Sequence, residues 1–259
     1  MSQAPFGRTR TRVHHDHALI GEDSHVTAPL YGWKDTFGVM LISPAMASAR
    51  GTSAVRGPGF AQYMATLTEQ SRSNTAPAGI ERCLIVLDGR LSILGKELQE
   101  GSFAYLPADV EANIRGLGSA KILVFEKHYV PHPDLSPPDP IIGELSSLKP
   151  EPFLGDEDAM LANLLPDEPS FDMAVNVFTY QSGAVLPFVE THIMEHGLYM
   201  SAGQGIYRLG ESWYPVCKGD SIWMAAYCPQ WFVAMGKEPA QYIYYKDVHR
   251  NHLPEQSVD

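Results

Sequence analysis

Placed one above the other, ERCLIVLDGRLSI (81–93) and EHGLYMSAGQGIY (195–207) bring Glu81 opposite Glu195 and Gly89 opposite Gly203, an offset of 114 residues. The match returns further on, where Gly101 meets Gly219 and FEKHYV (125–130) meets YKDVHR (245–250), with the offset a few residues wider. A chain that repeats itself at this interval folds as two copies of one unit of roughly 115 residues. The repeated segments are short and rich in β-branched and aromatic residues: CLIVL (83–87), KILVF (121–125), AVNVFTY (174–180) and QYIYY (241–245), set between Gly, Pro and Asp turns. The expectation is an all-β chain of two small antiparallel barrels or jelly rolls. The proline-rich stretch VPHPDLSPPDPIIGELSSLKPEP (130–152) reads as a connector, and DEDAMLANLL (156–165) as a short helix. These readings divide the chain into an arm (1–30), a first barrel (31–130), a connector (131–165) and a second barrel (166–259). The arm, with Arg8, Arg10, Arg12 and the cluster His14, His15, Asp16, His17, is expected to pack on the surface and bind nothing in particular.

Composition removes several classes of function. With 259 residues, 44% of them hydrophobic, the chain can bury a substantial core. Its 30 acidic against 19 basic residues give a formal charge of −11, which argues against nucleic acid as a partner. No apolar run approaches the roughly 18–20 residues of a membrane span, and the opening residues lack the apolar stretch of a secretory signal, so a cytoplasmic location without a membrane partner is expected. The cysteines Cys83, Cys217 and Cys228 form no C-x-x-C pair, so neither a disulfide framework nor a thiolate zinc site is indicated.

The chemistry concentrates in FVETHIMEH (188–196), which sets Glu190, His192 and His196 in apolar surroundings. On a strand these three share one parity and can face a single barrel interior. On a helix, Glu190 and His192 would stand about 200° apart, although HIMEH then spells the H-x-x-E-H of a zinc peptidase group with Glu195 as base. Pro187 upstream, Gly197 directly after and a strand–turn–strand pattern beyond leave too little room for that helix. Buried without partners, three such groups would be costly, which favours a metal over a purely structural role. Glu195 has the opposite parity and matches Glu81 of the first unit, so it reads as structural.

GAVLPFVETHIMEHGLYMSAG (183–203) resembles the first metal motif of the cupin superfamily, with Glu190 standing where a His is usual and His196 where a Glu is usual. KGDSIWMAAYCPQ (218–230) resembles the second, with Gln230 in the place of its His. The resemblance implies two tandem cupin barrels and makes Gln230 the fourth ligand, through its amide oxygen. The same positions in the first unit are Ala76, Ala78, Arg82 and Ala112, so one metal per chain is expected. Carboxylate, imidazole and amide donors without thiolate favour an octahedral ion with open positions, Mn²⁺ or Fe²⁺ before tetrahedral zinc.

A closer resemblance rests on FDM (171–173), ETHIMEHGLYMSAGQGIYRL (190–209), Trp213, PVCKGDSIWMAAYCPQ (215–230) and YIYYKDVHR (242–250), together with a metal-free first unit ending in KHYVP. The chain is similar over nearly its whole length to the (S)-ureidoglycine aminohydrolases of purine and allantoin catabolism. These are manganese-binding bicupins that release ammonia from ureidoglycine to give ureidoglycolate. The resemblance implies a metal held by Glu190, His192, His196 and Gln230. It makes Glu190 and Lys246 the catalytic residues, and Glu190, Tyr207, Tyr242 and Lys246 the contacts to a small-molecule substrate. A homo-oligomer is implied as well. Another metal-dependent cupin enzyme, an oxygenase or isomerase, or a non-catalytic ligand-binding cupin, remains the alternative class.

Overall fold

The computed structural model describes residues 9–46 and 57–250, so residues 1–8 of the expected arm, Arg8 among them, lie outside the described residues. Nearly every element is an antiparallel strand, arranged in three sheets. A nine-stranded sheet runs from Ile141–Glu144 through Ser102–Leu106, Ile80–Ile93, Glu111–His128 and Phe60–Leu67 to Phe37–Ile42 and Ala28–Pro29. An eight-stranded sheet runs from Arg12–Val13 and His17–Ile20 through Ser221–Met224, His196–Ala202, Ala240–Asp247 and Met173–Tyr180 to Asp156–Asn163 and Glu151–Phe153. Ser212–Cys217, Gln204–Leu209 and Gln230–Met235 form a three-stranded sheet. Among the described residues the helical elements are two single 3-10 turns, Glu22–Ser24 and Leu145–Ser147. No helix among them is long and apolar enough to cross a membrane.

The internal duplication is visible in the strand register. Arg82 pairs with Leu106 and Glu126, and His196 pairs with Met224 and Lys246. Lys127 stands opposite Phe60, and Asp247 opposite Met173. Arg82 therefore occupies in the first unit the place of His196 in the second, and Glu126 the place of Lys246.

Alternation along the strands divides the apolar residues among three cores. Leu84, Val86, Leu91, Ile122 and Val124 fill the first barrel. Phe178, Tyr180, Leu198, Tyr207, Tyr242 and Tyr244 fill the second. The opposite faces of the same strands, with Cys83, Phe125, Val175, Ile243 and Tyr245, meet Phe60 and Trp223 in a core shared by the two units. Both faces of these strands are buried, which is why QYIYY reads as a continuous apolar run rather than an alternation. The Phe60 ring lies tilted against Tyr245, 4.2 Å between centroids, and a Cβ at Gly197 would stand 2.3 Å from that same ring, so glycine is what lets the units close on each other.

Buried polar groups line the edge of the shared core. Glu81 accepts a hydrogen bond from the Tyr105 hydroxyl at 2.7 Å and lies 3.5 Å from the Lys127 ammonium, which also binds Asp172 from the second unit. The matching carboxylate of the second unit, Glu195, accepts the Gly59 N–H of the first unit at 3.0 and 3.1 Å and the Trp223 indole N–H at 3.4 Å. Glu195 thus reaches across to the first unit directly, and Glu81 is joined to the second through Lys127.

Three expectations change. DEDAMLANLL begins as the strand Asp156–Asn163, paired with Met173–Tyr180, because a sheet neighbour outweighs the helix preference of Ala, Leu and Met. The opening segment is built into the eight-stranded sheet rather than laid upon it: His17–Ile20 pairs with Ser221–Met224, and Ala18 and Leu19 are fully buried. The proline-rich stretch contributes Ile141–Glu144 to the first unit's sheet, paired with Ser102–Leu106.

Candidate metal centre

His196 opens a strand, so its side chain points into the second barrel beside the Tyr244 ring, 5.5 Å away between centroids. Glu190 and His192 lie outside any extended strand, in contrast to the expectation of one shared strand face. Pro187 and the turns that follow break the strand. Glu190 is held instead by an isolated bridge to Gln230, with hydrogen bonds of 2.8 and 2.9 Å between their backbones. His192 is fixed by its own carbonyl, which accepts the Tyr227 N–H at 2.7 Å, and by Nδ1, which donates to the Met194 carbonyl at 3.2 Å. That bond leaves Nε2 as a lone-pair donor pointing inward.

Three of the expected ligands converge. His192 Nε2 is 3.0 Å from His196 Nε2 and 2.9 Å from the Gln230 amide. The Tyr207 hydroxyl donates to Gln230 Oε1 at 3.3 Å and holds that amide in place. Donors at right angles around an ion roughly 2.1 Å away stand about 3.0 Å apart, against about 3.4 Å in a tetrahedron. The separations seen here fit neighbouring positions of an octahedron. A half-turn of the Gln230 amide presents its oxygen to the same point.

The electrostatics suit a cation ligand set. Burial drives the His196 pKa well below its usual value, and His192 and Lys246 push it further down. His192 is lowered by burial as well, with Lys246 adding to the effect and its backbone partner opposing it. Both rings are neutral near neutral pH, the form that binds a metal. Burial raises the Glu190 pKa and the Lys246 charge opposes the rise. Lys246, opposite His196 in the sheet, therefore acts on Glu190, His192 and His196 together.

Tyr242 is buried among Tyr180, Tyr207, Phe232 and Tyr244, and shares a 3.1 Å hydroxyl contact with Tyr180. It lies two residues further into the barrel than Tyr244, with Tyr244 between it and the Lys246 level. Sequence reasoning missed Tyr244 and Asn176, which face each other across two strands of that interior. The alternation of AVNVFTY and QYIYY carried the signal, since Asn176 and Tyr244 have the parity of Phe178 and Tyr242.

A second group of donors lies at the N-terminal strand, where Asp16, His17 and Cys228 bring one ligand atom each within 4.8 Å of one another. Both His17 nitrogens are already engaged, Nδ1 with Asp16 Oδ1 and Nε2 with the Tyr214 hydroxyl, each at 2.9 Å. The Asp16 carbonyl accepts the Ala225 N–H at 2.9 Å. The trio thus acts as a strut under the turn that leads to Gln230. A cleft of about 360 Å³ lined by Lys149, Phe153, Leu161 and Asn163 sits on the edge hairpin and includes none of the expected ligands.

No family model matches the sequence. The (S)-ureidoglycine aminohydrolase of Arabidopsis thaliana is 38% identical over 254 residues, covering 95% of this chain and 80% of the relative. The (S)-ureidoglycine aminohydrolase of Escherichia coli (strain K12) is 30% identical over 250 residues, covering 92% and 90%. The chain belongs to the (S)-ureidoglycine aminohydrolase family. Membership makes it an enzyme that hydrolyses a C–N bond. Among solved structures, the E. coli protein Ylba superposes with a TM-score of 0.79 at 29% identity, covering 95% of this chain and 97% of that one. Oxalate decarboxylase of Bacillus subtilis, described with Mn(II) centres, matches with a TM-score of 0.66 at 12% identity over 92% and 81%. That last likeness speaks for the fold alone, and the fold is the bicupin one.

Proposed function

We propose that this (S)-ureidoglycine aminohydrolase family member releases ammonia from (S)-ureidoglycine to give (S)-ureidoglycolate in purine and allantoin catabolism. The second barrel, residues 166–259, carries the site, after an arm (1–30), a metal-free first barrel (31–130) and a connector (131–165). Glu190, His192, His196 and Gln230 hold one divalent ion, Mn²⁺ before Fe²⁺. The observation that carries this reading is the approach of His192 Nε2 to 3.0 Å from His196 Nε2 and 2.9 Å from the Gln230 amide, with Lys246 opposite His196 in the sheet. When bound, the ion supplies Lewis acidity to a substrate heteroatom or to water.

The chain's own residues supply the rest. Lys246, half-buried, offers an ammonium to the substrate carboxylate, a pairing that partial burial strengthens. Tyr207 holds the Gln230 amide and, with Tyr242, shapes the floor of the barrel against the substrate. In this reading Glu190 would pass a proton from the attacking water to the leaving amine. The C–N bond breaks, a C–O bond forms, and the water's proton leaves with ammonia. We further propose that the enzyme self-associates and acts in the cytoplasm.

The test is ammonia release from freshly generated ureidoglycine by metal-stripped protein, with and without added Mn²⁺, alongside His192→Ala. The reading expects activity only in wild-type protein with Mn²⁺, without oxygen consumption. Equal rates in all three samples would end it, and oxygen uptake would favour a cupin oxygenase.

A further inference from the structure

Asn176 sits in the middle of the Met173–Tyr180 strand and is 2% exposed. Its neighbours in alternation, Phe178 and Tyr180, belong to the second barrel's interior, whereas Val175 and Val177 face the shared core, so the Asn176 amide points into the barrel. Register places it opposite Tyr244, and Ala174 opposite Lys246, which is itself opposite His196. Asn176 therefore lies one strand step of two residues, about 6.6 Å, from the level of Lys246 and His196.

Its hydrogen bonding is lopsided. The amide nitrogen donates to Asn163 Oδ1 at 2.7 Å, and the side chain also meets the Tyr244 phenol. The carbonyl Oδ1 is fully buried, and no donor among the described residues reaches it. An apolar residue of the same shape would avoid leaving a buried acceptor unmade, which is a costly arrangement. A barrel interior keeps such a group where a ligand supplies the missing donor.

We propose that Asn176 is a specificity-determining residue whose Oδ1 accepts a hydrogen bond from the terminal –NH₂ of the substrate's ureido group, while the substrate carboxylate meets Lys246. The proposal rests on the function proposed above and assigns the end of the substrate that the metal and Lys246 leave unread. A urea nitrogen is a strong donor with no charge, which suits a buried neutral acceptor. An analogue lacking that N–H would leave Oδ1 unpaired and bind more weakly.

The probes are N-carbamoylglycine and N-acetylglycine, which carry the same carboxylate and differ in an –NH₂ against a –CH₃. Their competitive inhibition is measured on the Mn²⁺-loaded enzyme, wild type and Asn176→Leu. Wild type is expected to prefer N-carbamoylglycine by about three- to tenfold, and the variant to lose that preference. The variant is also expected to bind Mn²⁺ as wild type does and to show a raised KM with a smaller change in kcat. A purely structural Asn176 would instead leave the preference for N-carbamoylglycine intact in the variant, and that result overturns the proposal. Should the leucine variant not fold, Asn176→Ala gives the same comparison of inhibitors. Wild-type protein that releases no ammonia from ureidoglycine overturns the proposed function, whereas active wild type with an unchanged preference in the variant overturns only the role of Asn176.

Discussion

Removing the Lys127 ammonium as Lys127→Met should destabilise the protein more than any other single change at the junction of the two units. The side chain is 10% exposed and lies between Glu81 and Asp172, whose side chains are both at 0%. Without it, two carboxylates face each other in a site with no compensating charge. Taking one partner from a buried ion pair costs about 3–5 kcal/mol. At roughly 2–4 °C per kcal/mol for a chain of this size, the melting temperature should fall by roughly 6–20 °C.

The loss should depend on pH with a defined sign. Burial raises the Glu81 pKa well above its usual value, and the hydrogen bond and charge of Asp172 raise it further while Lys127 opposes. A folded-state pKa above the unfolded one gives stability that is complete below about pH 4.3 and is lost as the pH rises through the folded value. The Lys127→Met deficit should therefore grow from pH 5 to pH 8, and adding Glu81→Gln, which cannot ionise, should recover most of it. Differential scanning calorimetry of the two single variants and the double variant across that range measures both effects. A Lys127→Met protein that melts with wild type at pH 8, or a double variant no better than the single, would show that the ammonium does not compensate these carboxylates.

Other consequences concern the barrels separately. Tyr207→Phe removes the hydroxyl that holds the Gln230 amide, as donor to its oxygen or as acceptor from its NH₂ once the amide has turned, and should weaken Mn²⁺ binding by about tenfold, read by metal titration, with the fold intact. Arg82→Met strands Glu126 in the first barrel, where the pair is 2.6 Å apart, and should cost about 3 kcal/mol in urea unfolding while leaving Mn²⁺ stoichiometry unchanged. Burial lowers the His17 pKa, with Asp16 opposing, so its contribution to stability is present above about pH 6.5 and is lost as the pH falls. The unfolding free energy of wild type should then drop more between pH 8 and pH 5 than that of His17→Gln.

The duplication was the most legible property of the sequence, because glycine turns and strand starts recur at positions that register later joins in equivalent pairs. That Tyr242 and Lys246 share one strand face was legible for a related reason: strand alternation is a two-residue rule that needs no tertiary information. The path of Glu190 and His192 was not. The meeting of His192 with His196 comes from a loop pinned to Gln230 and Tyr227, and no local periodicity encodes a loop. Asp156–Asn163 misled because its helix-favouring composition is overridden by a neighbour strand distant from its own signals. Arg82 and Glu126 stood in the sequence without an evident link. Register shows them filling the places of His196 and Lys246, so the first barrel carries a buried ion pair where the second gathers its donors.

The most direct test is anomalous X-ray scattering at the manganese edge from crystals of the Mn²⁺-loaded protein. One peak per chain should lie among His192 Nε2, His196 Nε2, Gln230 and the Glu190 carboxylate, and it should vanish in His196→Ala. A peak beside Asp16, His17 and Cys228 in its place, or no ordered manganese within the second barrel, would contradict the metal centre on which the proposed chemistry depends.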